Sequence, residues 1–460
     1  MFWQSTEKSS AVRKPAEKKD LNGVDHIQAV DAGDPLHTDL KVNLHRRLLS
    51  MIKLSLIDQM SPAELRGQIA EIVNELLAEQ NEPLNATERE SLTDDIMDEL
   101  LGLGPIEPLL KDPRVSDILV NTHRQVFVER EGKLSFTRVV FKDDQHLLRI
   151  ISKIVNRVGR RIDESQPMVD ARLPDGSRVN AIVPPLAVDG PLLSIRKFAR
   201  VPIDMDRLIA LGSLPPEVVQ VLNAVVACRR NVLISGGTGA GKTTLLNAMS
   251  ASIDGSERII TIEDSAELQL QQFHVGRLET RPPNIEGRGE ITQRELVKNA
   301  LRMRPDRIIV GEVRAGEAFD MMQAMNTGHE GSMTTIHANT CRDALSRLEQ
   351  MVGMSGIEIA PSAVRSQIAS AIHVVIQLQR LSDGRRRLTS LSEIVGMEGN
   401  VITMQDIFVF KRISTDADGN IYGKFEATGI RPKFLEEIES RGLELPNHIF
   451  DPNRELEVKS

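Results

Sequence analysis

The chain has one tryptophan, one tyrosine and two cysteines in 460 residues. Aromatic residues make up only 3% of it, so the stacking platforms on which proteins hold single-stranded nucleic acid are scarcely supplied. Cys228 and Cys341 are too few for a disulfide framework or a four-cysteine zinc knuckle. They read as small, half-buried residues in a reducing compartment. A surplus of positive charge is missing as well. The net charge of −8 argues against a broad basic surface for nucleic acid, while leaving local basic patches open. No apolar run approaches the roughly eighteen residues of a membrane-spanning helix, and no basic-then-apolar signal follows Met1. The chain is therefore expected in the cytoplasm, with any membrane contact peripheral.

What is present is material for packed cores: 40% of the residues are hydrophobic, over a length that suggests about three domains. Residues 1–37 are charged, contain serine and proline, and have no periodicity, so a disordered tail is expected. Apolar residues then recur at helical spacing. "LHRRLLSMIKL", "LRGQIAEIVNELLAEQ" and "ERESLTDDIMDELLGLG" predict a helical bundle over 38–112. Residues 113–200 change period. "SDILVNT", "QVFVER" and "LSFTRVVF" predict strands, "DQHLLRIISKIVNRVGRRI" a helix, and "DARLPDGSRVNAIVPP" a hairpin turning at Pro174-Asp175-Gly176 before a last strand, "LLSIRKF". A linker is expected over 201–216. From 217 to 380 strands and helices alternate, the pattern of a mainly parallel sheet covered by helices. Residues 381–460 turn to β-meander and a closing helix.

The stretch "GGTGAGKT" from Gly236 to Thr243 fits G-x-x-x-x-G-K-[ST] at every fixed position. Glycines let the backbone curl until its N–H groups converge on phosphate oxygens, and the following helix adds its positive N-terminus. The binding set is Gly236, Gly237, Thr238, Gly239, Ala240 and Gly241, then Lys242, Thr243 and Thr244. Lys242 reaches the β- and γ-phosphates as a point charge, and Thr243 offers its hydroxyl to Mg²⁺. A chance match in a glycine-rich turn is the alternative. The apolar strand before the loop and the helical run after it speak against that. The expectation is a nucleoside triphosphate binder. No Asn-Lys-x-Asp base-reading motif of a GTPase is present.

Two later strands end in carboxylates: "RIITIEDSAEL" in Glu263-Asp264, with Glu267 beyond, and "RIIVGEVR" in Gly311-Glu312. In a P-loop fold the chemistry sits at the C-terminal strand ends beside the loop. One carboxylate polarises water while another holds the metal's water shell. Glutamate reaches about one bond further than aspartate, which suits Glu312 to contact Mg²⁺ through water. A lone solvated strand end is the bland alternative for each; the pair together favours chemistry.

"GGTGAGKTT", "ITIEDSAEL", "ALRMRPDRIIVGEVR" and "GHEGSMTTIHANT", in that order, resemble the Walker A, Asp box, Walker B and His box of the type II/IV secretion ATPase superfamily. "LGLGPIEPLLKDPRVSDILVN" and "DARLPDGSRVNAIVPPLAVDGPLLSIRKF", with no four-cysteine insert, resemble most the CpaF/TadA-type motors of tight-adherence (Flp) pili. The resemblance is strong over about residues 95–380. It implies an α/β chain: a RecA-like P-loop motor domain preceded by an α+β PAS-like domain and a small helical bundle. It further implies a homo-hexamer with ATP sites between subunits. Such a ring hydrolyses Mg-ATP to power assembly, and in some cases retraction, of a type IV or Flp-type pilus or a related secretion apparatus. It works at the inner face of the inner membrane on platform proteins, with no nucleic acid.

The histidines of "GHEGSMTTIHANT" fit no zinc motif. A helical H-E-x-x-H would need histidine at Met333, and strand residues eight apart are too distant to share one ion. Polar side chains capping a strand are one alternative. Nucleotide sensing is the other, and the resemblance implies it: His337 near the γ-phosphate, with His329 as a second contact. Arginines supplied by a neighbouring subunit stabilise charge on the γ-phosphate in ring ATPases. The candidates are Arg178 and Arg196 in the N-terminal domain, and Arg277, Arg281 and Arg288 after the Asp box; solvated surface charge is their other reading. Two rival functions stay open at this point. One is a RecA-like nucleic-acid translocase, which DNA-stimulated hydrolysis would reveal. The other is a non-hydrolysing nucleotide-gated scaffold, which absence of phosphate release would reveal.

Overall fold

The computed structural model describes residues 61–80, 85–130, 132–198, 203–283, 288–417 and 419–456. The expected tail over 1–37 and the helix expected at "LHRRLLSMIKL" lie outside the described residues. The chain divides into two compact units, Met1–Lys197 and Phe198–Ser460.

The first unit begins with two helices, α1 (Pro62–Gln80) and α2 (Ala86–Leu100). Leu65, Ile69, Val73 and Leu77 recur every four residues, so they share one face and pack against Leu92 and Ile96. Asn85 and Glu88 close a capping box at the start of α2. After the short α3 (Glu107–Lys111) come β1 (Val115–Thr122), β2 (Gln125–Arg130) and β3 (Lys133–Phe136). Helix α4 (Asp144–Arg157) leads to β4 (Met168–Arg172), β5 (Arg178–Ile182) and β6 (Leu192–Arg196). The six strands form an antiparallel sheet in the order β3-β2-β1-β6-β5-β4, an α+β layer of the PAS-like kind. One stripe of α4, Leu147, Ile150, Ile151, Ile154 and Val155, joins its core. The third strand stops sooner than its apolar run: Val139 and Phe141 lie beyond it, buried in the core from a loop. The helix pair is fastened to this layer. Lys153 Nζ on α4 donates to the carbonyls of Leu100 (2.9 Å) and Gly102 (2.6 Å), which the end of α2 leaves unpaired. Buried His146 meets Glu99 at 3.0 Å.

The second unit is built on a nine-stranded sheet in the order β15-β14-β13-β12-β7-β11-β10-β8-β9. The parallel strands are β7 (Val232–Gly236), β8 (Ile259–Glu263), β9 (Val275–Glu279), β10 (Arg307–Val310), β11 (Met333–Ile336) and β12 (Val374–Arg380). Their alternate side chains enter two cores on opposite faces: Val232 and Ile234 one, Leu233 the other. Burial on both faces is why these strands read as unbroken apolar runs. Helices α5 (Met205–Ala210), α6 (Pro216–Ala227), α7 (Lys242–Ser250) and, near the C-terminus, α12 (Phe434–Ser440) cover the first face. Helices α8 (Gln293–Ala300), α9 (Glu317–Asn326), α10 (Cys341–Gly353) and α11 (Pro361–Ala371) cover the second.

Two expectations about this unit change. The stretch 201–216, read as a linker, contains α5 and buries Leu208 and Leu214 in the first core. The stretch 381–460, read as an extension, supplies β13 (Arg386–Glu398), β14 (Val401–Thr415) and β15 (Ile421–Ala427), which continue the same sheet antiparallel from β12. Periodicity identifies a strand but not its pairing partner, so continuity across β12 was invisible in the sequence. Both cysteines are free and buried.

At the N-terminal end of β10, Arg307 is fully buried. Its Nε and Nη2 bind Glu257 at 2.7 and 2.8 Å, and Nη1 donates to the Val226 carbonyl at 2.9 Å. Arg229 also reaches Glu257, at 3.1 Å. Removing one partner of a buried pair leaves the other charge poorly compensated. Arg307→Met is expected to lower unfolding stability by about 3 kcal/mol, read as a reduced urea midpoint in the full-length protein.

Candidate nucleotide site

Strand β7 ends at Gly236, the chain curls through 237–241, and α7 begins at Lys242. The curl needs left-handed backbone at two points, Gly239 (φ 69°) and Gly241 (φ 95°), where a Cβ would be strained. Ala240 packs into the core, Gly237, Thr238 and Gly239 stand exposed, and Thr243 and Thr244 are half-buried in the first turn of α7. The Lys242 amine is buried and donates to the Gly236 and Gly237 carbonyls at 3.0 and 3.1 Å. Burial lowers its pKa, while the nearby Glu312 carboxylate acts in the opposite direction.

The parallel order β7-β11-β10-β8 lines up four C-terminal strand ends. Past β11, His337 lies 3.4 Å from the Lys242 amine and 3.1 Å, through Nε2, from Glu312 Oε1. Burial, then the Lys242 charge, lowers the His337 pKa, so the ring is neutral at physiological pH. The tautomer that satisfies both neighbours donates from Nε2 to Glu312 and accepts from Lys242 at Nδ1. Glu312 also binds Arg314, Oε1 to Nε at 3.0 Å and Oε2 to Nη2 at 3.3 Å. Burial pushes the Glu312 carboxyl up, but Arg314, His337 and Lys242 together outweigh it and hold it below the ordinary value. Arg314 reaches on to Asp264 at 3.1 Å.

Glu263, at the end of β8, has the opposite environment. It is 3% exposed. Its Oε2 accepts from the Glu267 and Leu268 amides at 2.7 and 2.9 Å, while Oε1 is buried without a hydrogen-bond partner. Burial raises its pKa to about 7, the two amide bonds pulling the other way. A carboxylate with one anchored oxygen and one unpartnered oxygen is ready to take a proton from water. Gly311 makes room for it: a Cβ there would stand 2.9 Å from Glu263 Cγ. The glycine before Glu312 thus serves the neighbouring strand's glutamate by close approach.

The structure gathers Lys242, Thr243, Glu263, Glu312 and His337 around one loop, and adds Arg314, which is not among the candidate arginines of the sequence. It does not gather His329. That residue precedes β11 at the end of the sheet opposite the loop, where its backbone and ring nitrogens contact the Ala324 carbonyl of α9 at 3.3 Å. A strand separates the two histidines, and of the two His337 lies beside the loop. Arg277 is a cis neighbour: it pairs across from Thr261, donates to the Ala266 carbonyl at 3.3 Å, and its charge acts on Glu263. Arg281 donates to the Gly289 carbonyl at 2.6 Å, and its backbone bridges Ile291 across the segment that holds Arg288. In the first unit Arg178 and Arg196 stand directly opposite each other on β5 and β6, with Asp117 3.2 Å from Arg196. The residues present suit Mg²⁺, which takes few protein oxygens and keeps its waters: the Thr243 hydroxyl, and the Glu312 carboxylate held ionised.

Residues 99–415 match the profile of the type II/IV secretion system protein family, and residues 37–101 that of the type II secretion system protein E N-terminal domain. A Mycobacterium tuberculosis protein named for conjugal transfer is 38% identical over 325 residues, 69% of this chain and 92% of that one. The type IV secretion system protein VirB11 of Bartonella quintana is 31% identical, over 64% of this chain and 92% of its own. Among solved structures, the Brucella suis VirB11 ATPase in complex with sulphate shares 27% identity, covering 62% of this chain and 94% of that one, at a TM-score of 0.34. The chain belongs to the type II/IV secretion system protein family.

Two outcomes follow from the Glu263 pocket. Gly311→Ala is expected to displace that side chain and cut turnover at least tenfold with nucleotide affinity nearly kept, read by comparing kcat with Kd. The base must be deprotonated to act, so kcat/KM is expected to rise with pH and level off above about 7; a pH–rate profile flat from pH 5.5 to 8 would remove Glu263 from that role.

Proposed function

We propose that this member of the family is the hexameric Mg-ATP hydrolase that powers assembly of a pilus of the tight-adherence type or a related secretion apparatus. One observation carries the reading: His337 bridges Lys242 and Glu312 while, one strand away, buried Glu263 keeps an oxygen unpartnered. Water held at Glu263 Oε1 attacks the γ-phosphorus, its proton passes to that carboxylate, and the bond to the ADP oxygen breaks. Lys242 exchanges its two loop carbonyls for β- and γ-phosphate oxygens. His337 then feels the loss of the γ-phosphate through Lys242 and relays it to Glu312. Thr243, and Glu312 through water, would hold a Mg²⁺ ion, which would neutralise phosphate charge. Charge developing on the γ-phosphate is met by a neighbour's arginines, with Arg178, Arg196, Arg281 and Arg288 as the candidates.

The described residues contain no helix long and apolar enough to cross a membrane. Contact with the inner face of the inner membrane would run through platform proteins of the apparatus.

Lys242→Ala is expected to abolish phosphate release, because the transferred charge loses its cation in a water-poor site; turnover within a few-fold of the parent would remove the reading. The two glutamates separate by role. Glu263→Gln is expected to keep nucleotide affinity while single-turnover hydrolysis slows by about a hundredfold or more. Glu312→Gln is expected to raise the Mg²⁺ concentration needed for half-maximal binding. The converse pattern across a Mg²⁺ series would exchange their assignments.

A further inference from the structure

Strand β12 runs parallel to β7 with Leu378 opposite Gly236, and then turns back at Leu381–Arg385 into β13. The hairpin therefore reaches past the end of β7, alongside the phosphate loop. Arg386, the first residue of β13, donates from Nε to the Gly239 carbonyl at 2.8 Å. Its Cδ lies 3.6 Å from where a Cβ on Gly241 would stand, and the Arg380 guanidinium lies 3.6 Å from the corresponding point on Gly239. The support behind Arg386 is firm. Arg387 is buried over the Phe410 ring, 4.8 Å from its centroid, and the Leu388 amide donates to the Ser213 carbonyl at 2.9 Å.

We propose that Arg386 is a positioning residue for the nucleotide's phosphates, acting through the Gly239 peptide. A trans peptide is a rigid plane with its C=O and N–H on opposite sides. Holding the Gly239 oxygen toward the hairpin turns the Ala240 N–H away from it, into the loop. That N–H donates to the Gly237 carbonyl at 3.3 Å, a long bond that a phosphate oxygen can replace. The guanidinium charge also polarises the peptide and makes its N–H a stronger donor. The meander from 381 onward is thus part of the nucleotide site.

The inference rests on the nucleotide-binding reading above, and the test separates the two. R386M keeps the stem beside Gly241 but has no donor; R386K restores one. Mg-ADP affinity is measured by calorimetry, and kcat and KM for ATP by phosphate release, on the full-length protein. Loop N–H groups hold ground state and transition state alike, so their loss moves binding rather than turnover. R386M is expected to raise the ADP Kd and the ATP KM about tenfold with kcat within about twofold of the parent, and R386K to recover most of the loss. Parent-like ADP affinity in R386M, a fall confined to kcat, or an R386K no better than R386M would each overturn the proposal. A parent protein that binds no nucleotide would overturn the nucleotide reading instead.

Discussion

The site depends on the parallel hydrogen bonding of β7, β11, β10 and β8 in one register. Parallel pairing puts all four C-terminal ends on one edge. Gly236, His337, Glu312 and Glu263, spread over about a hundred residues of chain, thereby become neighbours. The same pairing sends the N-terminal ends to the opposite edge, where Arg307 and Glu257 pair deep in the protein and His329 comes to rest. One constraint thus decides both which residues meet and which do not.

Two glutamates on adjacent strands end in contrasting electrostatics. Glu312 is surrounded by cations and a neutral imidazole and stays ionised. Glu263 is enclosed by its own strand end, the following turn and Gly311, with two amides for one oxygen and nothing for the other. Desolvation dominates there and raises its pKa to about 7. Environments that push two carboxyls apart leave one site with a carboxylate and a group able to exchange a proton near neutral pH. Neither difference is a property of glutamate; both come from what the sheet brings alongside.

Much of this was legible in order along the chain. The phosphate loop is local chemistry: glycines at fixed spacing, a lysine and a threonine, between an apolar strand and a helix. The continuous apolar runs at β7, β8 and β10 announce strands buried on both faces, and the carboxylates closing two of them announce a site. The stretch 201–216 was misjudged because Leu208 and Leu214 show too little periodicity in a short segment, yet both find a place in the core. The two histidines part company in the fold, His337 beside the loop and His329 at the far end of the sheet, since sequence gives their separation but not the end of the sheet each occupies.

Local covalent preference and periodicity are short-ranged, so the sequence by itself determined the loop, the strands and helices, and the identity of the candidate acids, base and cations. Pairing, register and desolvation are set by contacts between distant segments, and these only the tertiary structure decided. They include the place of β13–β15 in the nine-stranded sheet and the contact of Arg386 with Gly239. They include the bridge from Lys242 through His337 to Glu312, and the glycine that clears space for Glu263. No window of the sequence contains both partners of any of these contacts, because free energy of burial and charge depends on neighbours brought from far along the chain.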